Sequence, residues 1–329
     1  MRVVVFSTKP YDRQFLSAAN AGRHELVFLE ARLLPETAAL AAGAQAACLF
    51  VHDHADAAVL ATFASLGVKH LALRCAGFNN VDLAAAARHG ISVARVPAYS
   101  PHGVAEHAVA LLMTLNRRVH RAYNRVRDGN FALEGLLGFD VHDKTVGVVG
   151  TGKIGVCFAQ IMRGFGCRVL AFDVARNPAA EALGVEYVPL EKLFTESHVI
   201  SLHCPLTPQT HHLVNARALA QMREGVFIIN TGRGPLIDTG AVIEALKSGK
   251  LGALALDVYE EEEGVFYEDH SGGILADDQL ARLLTFPNVL VTSHQAFFTR
   301  EAVKAIALTT IGNLDDFAAG RACPNVLKA

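Results

Sequence analysis

The 329-residue sequence has no tryptophan and only 7% aromatic residues against 51% hydrophobic ones. A core poor in large rings and rich in Ala, Val and Leu suits a parallel sheet covered by helices. The net charge is −2, so the field of the molecule favours neither nucleic acid nor an acidic surface. No apolar run reaches membrane-spanning length. The first residues enter an apolar run, 2–6, with no basic–apolar–cleavage pattern before it, so no targeting segment is expected. The six cysteines, Cys48, Cys75, Cys157, Cys167, Cys204 and Cys323, form no C-x-x-C pair. Most lie inside apolar runs and read as reduced core thiols of a cytosolic protein. There is no solenoid-period repeat and no low-complexity stretch, and the only charge run, 260–263, belongs to a class that is usually solvated.

The strongest positive signal is VGVVGTGKIG at 146–155, followed by an apolar run at 169–172 that ends on Asp173. It reads as strand, glycine turn, helix start and second strand. Gly150 permits the turn, Gly152 lets the backbone approach a pyrophosphate, and Gly155 lets helix and strand pack closely. The helix N-terminus offers unpaired N–H groups to the phosphates. Asp173 stands about 20 residues on, where a carboxylate takes the ribose hydroxyls. A G-x-G-x-x-G alone is weak evidence, but both strands and the acid flank it here, so dinucleotide binding is expected.

A nucleotide domain starting near residue 145 leaves a long preceding segment, and the length suits about two domains. Strand patterns fall at 3–6, 26–29, 47–51, 70–74 and 91–96, with helical stretches such as 55–65 and 83–89 between them. Ser100 and Pro101 resemble a cap and first turn opening a long helix through 105–118 and on towards 127. A second alternation follows, with strands at 146–150, 169–173, 199–203, 226–230, 253–257 and 289–292, and a closing helix at 300–318. The fold class expected is α/β, with two doubly wound, Rossmann-like parallel-sheet lobes and a crevice between them. The domains are placed at 1–99 plus 298–329, a flavodoxin-like substrate/catalytic domain, and 100–297, the nucleotide-binding domain. Two chain crossings, near 99–101 and 294–299, would make a hinge.

Three groups stand just past predicted strand ends of the second alternation: Arg233, the Glu run, and His294. Ligands of open parallel sheets collect at that edge. Reducing a 2-keto acid requires a cation forked onto carboxylate and carbonyl, an acid for the developing alkoxide, and a carboxylate to keep that acid protonated. Arg, His and Glu supply these in turn. Each has an ordinary structural reading as well: a surface ion pair for Arg233, a satisfied strand-end histidine for His294, a solvated acid for the Glu run. Other candidates are weaker. His52 and His54 flank Asp53 with no third metal ligand at a sensible spacing. His102, His107, His211 and His212 read as surface or packing residues, and Cys204 as a strand-end residue rather than a nucleophile.

The motifs RCAGFNNVD at 74–82, VPAYSP at 96–101, the glycine turn, HCPLT at 203–207, NTGRG at 230–234, DVYE at 257–260 and HQAF at 294–297 resemble those of the D-2-hydroxyacid dehydrogenase family. The match runs over essentially the whole chain. LNRRVHRAY at 115–123 and CPN at 323–325 resemble the fermentative NAD-dependent D-lactate dehydrogenases of Gram-negative bacteria in particular. The resemblance implies catalytic roles for Arg233, Glu262 and His294, and settles Glu262 as the histidine's partner within the Glu run. It implies substrate contacts from the N–H groups of Ala76 and Gly77, from Tyr99, from Arg233, and from Phe297 beside a small methyl group. It implies a cofactor site lined by Gly150, Gly152, Lys153, Ile154, Gly155, Asp173, Cys204, Pro205, Thr231, Gly232 and Asp257, with no metal. Gly232 stands where the family more often has Ser, which should trim cofactor contacts and leave activity.

The activity implied is NADH-dependent reduction of pyruvate to D-lactate in the cytoplasm. The alternatives are another 2-keto acid (glyoxylate, hydroxypyruvate or a bulkier one) and, from a different class, a corepressor-like nucleotide-sensing scaffold. A regulatory tail is not expected, since the pattern stops at the closing helix. Partners beyond the small-molecule substrate are expected to be copies of the chain, with no nucleic acid or membrane. In the family the 101–131 region pairs two nucleotide domains, and Val104, Ala108, Leu111, Leu112 and Leu115 form an apolar stripe such a contact needs. A dimer is the expected minimum and a tetramer plausible, with sigmoidal pyruvate dependence as a possible addition.

Overall fold

The run RVVV forms β1 (Arg2–Val5) because β-branched residues suit a pleated surface buried on both faces. In the computed structural model, which describes residues 1–328, it begins one of two compact units. This unit comprises Met1–Ser100 and the chain from Phe298 onward. β1 is followed by α1 (Pro10–Asn20), β2 (Glu25–Phe28), β3 (Ala46–Leu49), α2 (Ala57–Ser65), β4 (His70–Leu73), α3 (Leu83–Arg88) and β5 (Ser92–Ala94), and the terminal helix Arg300–Ala318 completes it. All five strands are parallel, in the order β2-β1-β3-β4-β5, the flavodoxin-like order. The period-2 alternation of side chains builds two half-cores. Val4, Ala47, Leu49, Leu71 and Leu73 face α2 with Leu60 and Phe63. Val3, Val5, Ala46, Cys48 and Ala72 face Leu16 of α1 and Ile311 and Leu314 of the terminal helix. Asp56, Asp82 and Thr299 cap their helices by accepting from Val59, Ala85 and Ala302 N–H groups.

The second unit is Pro101–Phe297. It runs α4 (Pro101–Arg117), α5 (Val119–Arg127), β6 (Thr145–Val149), α6 (Lys153–Gly164), β7 (Arg168–Phe172), α7 (Pro178–Ala182), β8 (Glu186–Tyr187), α8 (Leu190–Glu196), β9 (Val199–Leu202), α9 (Ala216–Gln221), β10 (Val226–Asn230), α10 (Thr239–Ser248), β11 (Leu251–Leu256), α11 (Asp278–Thr285) and β12 (Val289–Val291). Its seven strands are parallel, in the order β12-β11-β10-β9-β6-β7-β8. The order reverses between β6 and β9, the switch point at which dinucleotide domains bind their ligand. The α/β class and the two parallel sheets agree with the sequence reading.

Three details differ from that reading. The long helix stops at Arg117: Arg118 turns left-handed (φ 50°) and caps a separate α5. β8, two residues long at the sheet edge, has no periodic signal at that length and was not expected. The apolar stripe on α4 is not free to pair with anything, since Ala108, Leu111, Leu112 and Leu115 are buried in the unit's own core against Val146, Val148 and Phe158, and Val104 is buried too. Amphipathic periodicity reports a buried face but not what covers it. A run of exposed apolar side chains lies further on, at Val119, Tyr123, Val126, Phe131, Leu133 and Leu137.

Candidate active site

β6 ends at the glycine turn. Gly150 has φ 94°, and a Cβ there would lie 2.6 Å from the backbone nitrogen of Cys204 on the neighbouring strand end; a Cβ at Gly155 would lie 2.0 Å from the carbonyl oxygen of Gly150. Turn and helix start are therefore closed to any larger residue. Gly152, by contrast, meets nothing within 4 Å. It caps α6 with no side-chain hydrogen bond, so the first N–H groups of that helix are aimed into open space. That is the cradle a pyrophosphate fills. Lys153 is exposed and Ile154 half-buried beside it.

Asp173 follows β7. Its Oδ2 accepts from the Thr151 N–H (2.5 Å) and hydroxyl (3.0 Å), and its Oδ1 is met by the Ala175 N–H at 3.4 Å. Burial works against its ionisation, but the hydrogen bonds from Thr151 and from the backbone of residues 174 and 175 outweigh it and hold the carboxyl below its usual range. At the end of β9, burial pushes the Cys204 thiol up to about 11 and the His203 imidazole down to about 3. Burial thus favours the neutral thiol and the neutral imidazole there. Pro205 beside them is exposed. At the end of β10, Thr231 is buried with an Oγ1 that has no partner among the described residues, an orphan a bound cofactor can satisfy. The open cradle, the orphan hydroxyl and the acid together fit a dinucleotide.

Arg233 follows in extended conformation. The buried Asn230 shapes its loop by donating to the Arg233 carbonyl (2.8 Å) and accepting from the Gly232 N–H (3.0 Å). The guanidinium donates one bond, from Nη1 to the Gly232 carbonyl at 2.7 Å, and has no carboxylate partner among the described residues.

The Glu run divides by function. Glu260 is consumed by His212 (2.5 Å) and by the N–H and hydroxyl of Thr239. Glu262 turns the other way: Oε2 accepts from the Tyr259 N–H (3.1 Å) and Oε1 lies 2.9 Å from Nδ1 of His294. A carboxylate on Nδ1 fixes the proton there, so Nε2, which has no partner among the described residues, is the atom that can hold and release a second one. His294 itself is left-handed (φ 47°), a strained state for a non-glycine residue that the surroundings must enforce. They do so through its N–H on the Asp257 carbonyl (2.7 Å) and its carbonyl on the Tyr267 hydroxyl (2.9 Å).

Asp257, expected along the cofactor, commits both carboxylate oxygens to this turn. Oδ1 accepts from the Thr292 hydroxyl (2.5 Å) and the Gln295 N–H (2.9 Å), and Oδ2 from the Ala296 N–H (2.8 Å). His107 of α4, read from sequence as a packing residue, completes the cage: its Nε2 is 3.3 Å from Asp257 Oδ1 and 3.1 Å from Thr292 Oγ1. A lone histidine on an apolar helix face gives no sequence signal for this contact. Tyr267, likewise missed, lies in an irregular stretch without periodicity.

In the first unit, Ala76 and Gly77 follow β4 on a short loop. Arg95 donates to the Ala76 carbonyl (2.8 Å) and Cys75 Sγ contacts the Gly77 carbonyl. Their two N–H groups have no acceptor among the described residues, which leaves adjacent donors suited to a carboxylate. Tyr99 is half-buried at the end of the first unit, and Phe297 is half-buried at the end of the second. Asp53 is not available to a metal: it is buried and takes the Ser7 hydroxyl and the N–H groups of Leu33 and Phe50.

Residues 109–296 match the family described as "D-isomer specific 2-hydroxyacid dehydrogenase, NAD binding domain". The chain is 54% identical over 328 residues to a D-lactate dehydrogenase of Escherichia coli K12, covering 99% of this chain and all of that one. A solved structure of the pyruvate reductase of Chlamydomonas reinhardtii superposes with a TM-score of 0.94 at 48% identity, over 99% of this chain and 98% of that one. A D-lactate dehydrogenase of Lactobacillus jensenii solved with NAD+ superposes with a TM-score of 0.84 at 30% identity over the full length of both.

Proposed function

The chain belongs to the D-isomer specific 2-hydroxyacid dehydrogenase family, and from that premise we propose that it reduces pyruvate to D-lactate. It is an NAD-dependent dehydrogenase, and NADH when bound supplies the hydride. Arg233, whose fork is free of any carboxylate, grips the keto acid through carboxylate and carbonyl oxygens together. His294 presents a protonated Nε2 to the carbonyl oxygen and gives up that proton as the alkoxide develops. Glu262 keeps the imidazole oriented through Nδ1. The paired N–H groups of Ala76 and Gly77 suit a carboxylate, Tyr99 and Phe297 are proposed as further substrate contacts, and Asp173 as the acid that takes the ribose. The observation that carries the reading is the 2.9 Å His294–Glu262 pair, an acid with a carboxylate on Nδ1, set on a left-handed turn.

The test is NADH oxidation across pyruvate, glyoxylate, hydroxypyruvate and branched 2-keto acids, with chiral analysis of the product. Pyruvate should give the highest kcat/KM and D-lactate the only enantiomer; L-lactate, or a bulkier acid reduced tenfold better, overturns the assignment.

The working unit proposed is at least a dimer. The exposed apolar side chains of α5 and the loop after it support this, with Leu137 90% exposed, as does an open concavity of ≈ 420 Å³ lined by Arg117, Leu133, Leu136, Leu137 and Phe139. Contiguous exposed apolar surface of this kind marks an interface. The place of action proposed is the cytosol, in keeping with six cysteines outside any disulfide; no helix is long and apolar enough to cross a membrane among the described residues.

A further inference from the structure

Asp173 is held from one side. Oδ2 takes both donors of Thr151, whereas the Ala175 N–H reaches Oδ1 only at 3.4 Å. The Thr151 hydroxyl, having given its proton to Asp173, accepts from the Tyr187 hydroxyl at 2.8 Å. The Tyr187 oxygen in turn accepts from the Asn177 N–H at 2.8 Å, and the Asn177 side-chain amide closes the ring on the Thr151 carbonyl at 2.7 Å. Every hydroxyl in this chain points the same way, from Asn177 through Tyr187 and Thr151 to the carboxylate, so each bond polarises the next. The carboxylate is thereby fixed with Oδ1 as its available acceptor. Tyr187 has a second contact. The guanidinium of Arg176 lies over its ring, 5.7 Å from the centroid, with Glu181 at 3.5 Å. An arginine near the ribose acid is the group that receives the 2′-phosphate in NADP-binding domains.

We infer that Tyr187, on the edge strand β8, is a specificity-determining residue for the cofactor. Its hydroxyl locks Asp173 through Thr151 so that Oδ1 meets the ribose hydroxyls, and its ring holds Arg176 back from a 2′-phosphate. Tyr187 acts through these two residues, so it is a positioning residue. The inference rests on Asp173 as the ribose acid.

The experiment is direct binding of NADH and NADPH to the purified enzyme, followed by nicotinamide fluorescence, with the ratio of the two Kd values as the readout. Tyr187→Phe keeps the ring and removes the relay. NADH should bind about three- to tenfold more weakly, the range expected for one partly buried hydrogen bond, with NADPH unchanged. Tyr187→Leu removes the ring too and should tighten NADPH, an effect that Arg176→Ala in the same background abolishes. In a double-mutant cycle, Tyr187→Phe should cost nothing further once Thr151→Val has removed the acceptor. A ratio unchanged in Tyr187→Phe, whether neither cofactor moves or both weaken alike, overturns the inference, and so do additive effects in the cycle. If Tyr187→Phe fails to fold, Thr151→Val carries the same expectation and the same reversal. Asp173→Ser separates the underlying reading. It should abolish most of the preference for NADH; if the preference persists, the ribose assignment falls and the inference with it, whereas an unchanged Tyr187→Phe beside a responsive Asp173→Ser overturns the inference alone.

Discussion

Nε2 of His107 lies 3.3 Å from Oδ1 of the buried Asp257 and 3.1 Å from the hydroxyl of Thr292. The Thr292 proton is already given to Asp257, so His107 must be the donor to both oxygens. Burial raises the cost of charge on Asp257, and the hydrogen bonds of His107, Thr292, Ala296 and Gln295 bring its pKa below the ordinary value. A carboxyl so depressed contributes stability above its unfolded pKa and loses it as pH falls through the folded one. His107→Leu should therefore cost ~1–3 kcal/mol at neutral pH through an under-satisfied buried acceptor. It should also move acid unfolding to higher pH, while His107→Gln keeps a donor and loses less. An unmoved acid midpoint in His107→Leu would falsify this.

His294→Gln removes the proton donor and should lower kcat by roughly 10²–10⁴-fold with NADH binding nearly unchanged. In Glu262→Gln the ring loses the carboxylate that orients it through Nδ1, so kcat should fall with NADH binding nearly unchanged. A kcat equal to that of wild type would mean that Glu262 does not serve His294.

Arg233→Lys preserves the charge and loses the fork. Catalytic efficiency should drop by more than about tenfold, mostly in pyruvate and transition-state binding. Steady-state kinetics close to wild type would leave no reason to place the substrate at this residue.

The assembly proposal makes a paired prediction. Light scattering should give the mass of two or four chains, and Leu137→Asp should lower it without lowering the thermal midpoint of the dissociated chain. Leu112→Ala, in the buried stripe, should instead cost ~2–5 kcal/mol of stability and leave the mass unchanged. A monomeric active wild type rules out the dimer.

What the sequence determined by itself is what depends on short-range pattern. Strands buried on both faces appear as apolar runs, and the glycines at 150 and 155 are dictated by close contacts that leave no room for a side chain. The same pattern placed Arg233, the Glu run and His294 at successive strand ends, where a parallel sheet gathers its loops. Motif register then separated Glu262 from Glu260, and the geometry gives these neighbours opposite partners, His294 and His212. The tertiary structure alone decided the rest, because it depends on which faces meet. Periodicity marks Leu111, Leu112 and Leu115 as buried but cannot say that their own sheet covers them. His107 and Asp257 stand 150 residues apart by number, and Tyr187 reaches Thr151 only because a two-residue edge strand passes beside the glycine turn. Such contacts between single polar side chains leave no period in the chain, since their energy lies in the closed hydrogen-bond network and not in any local preference.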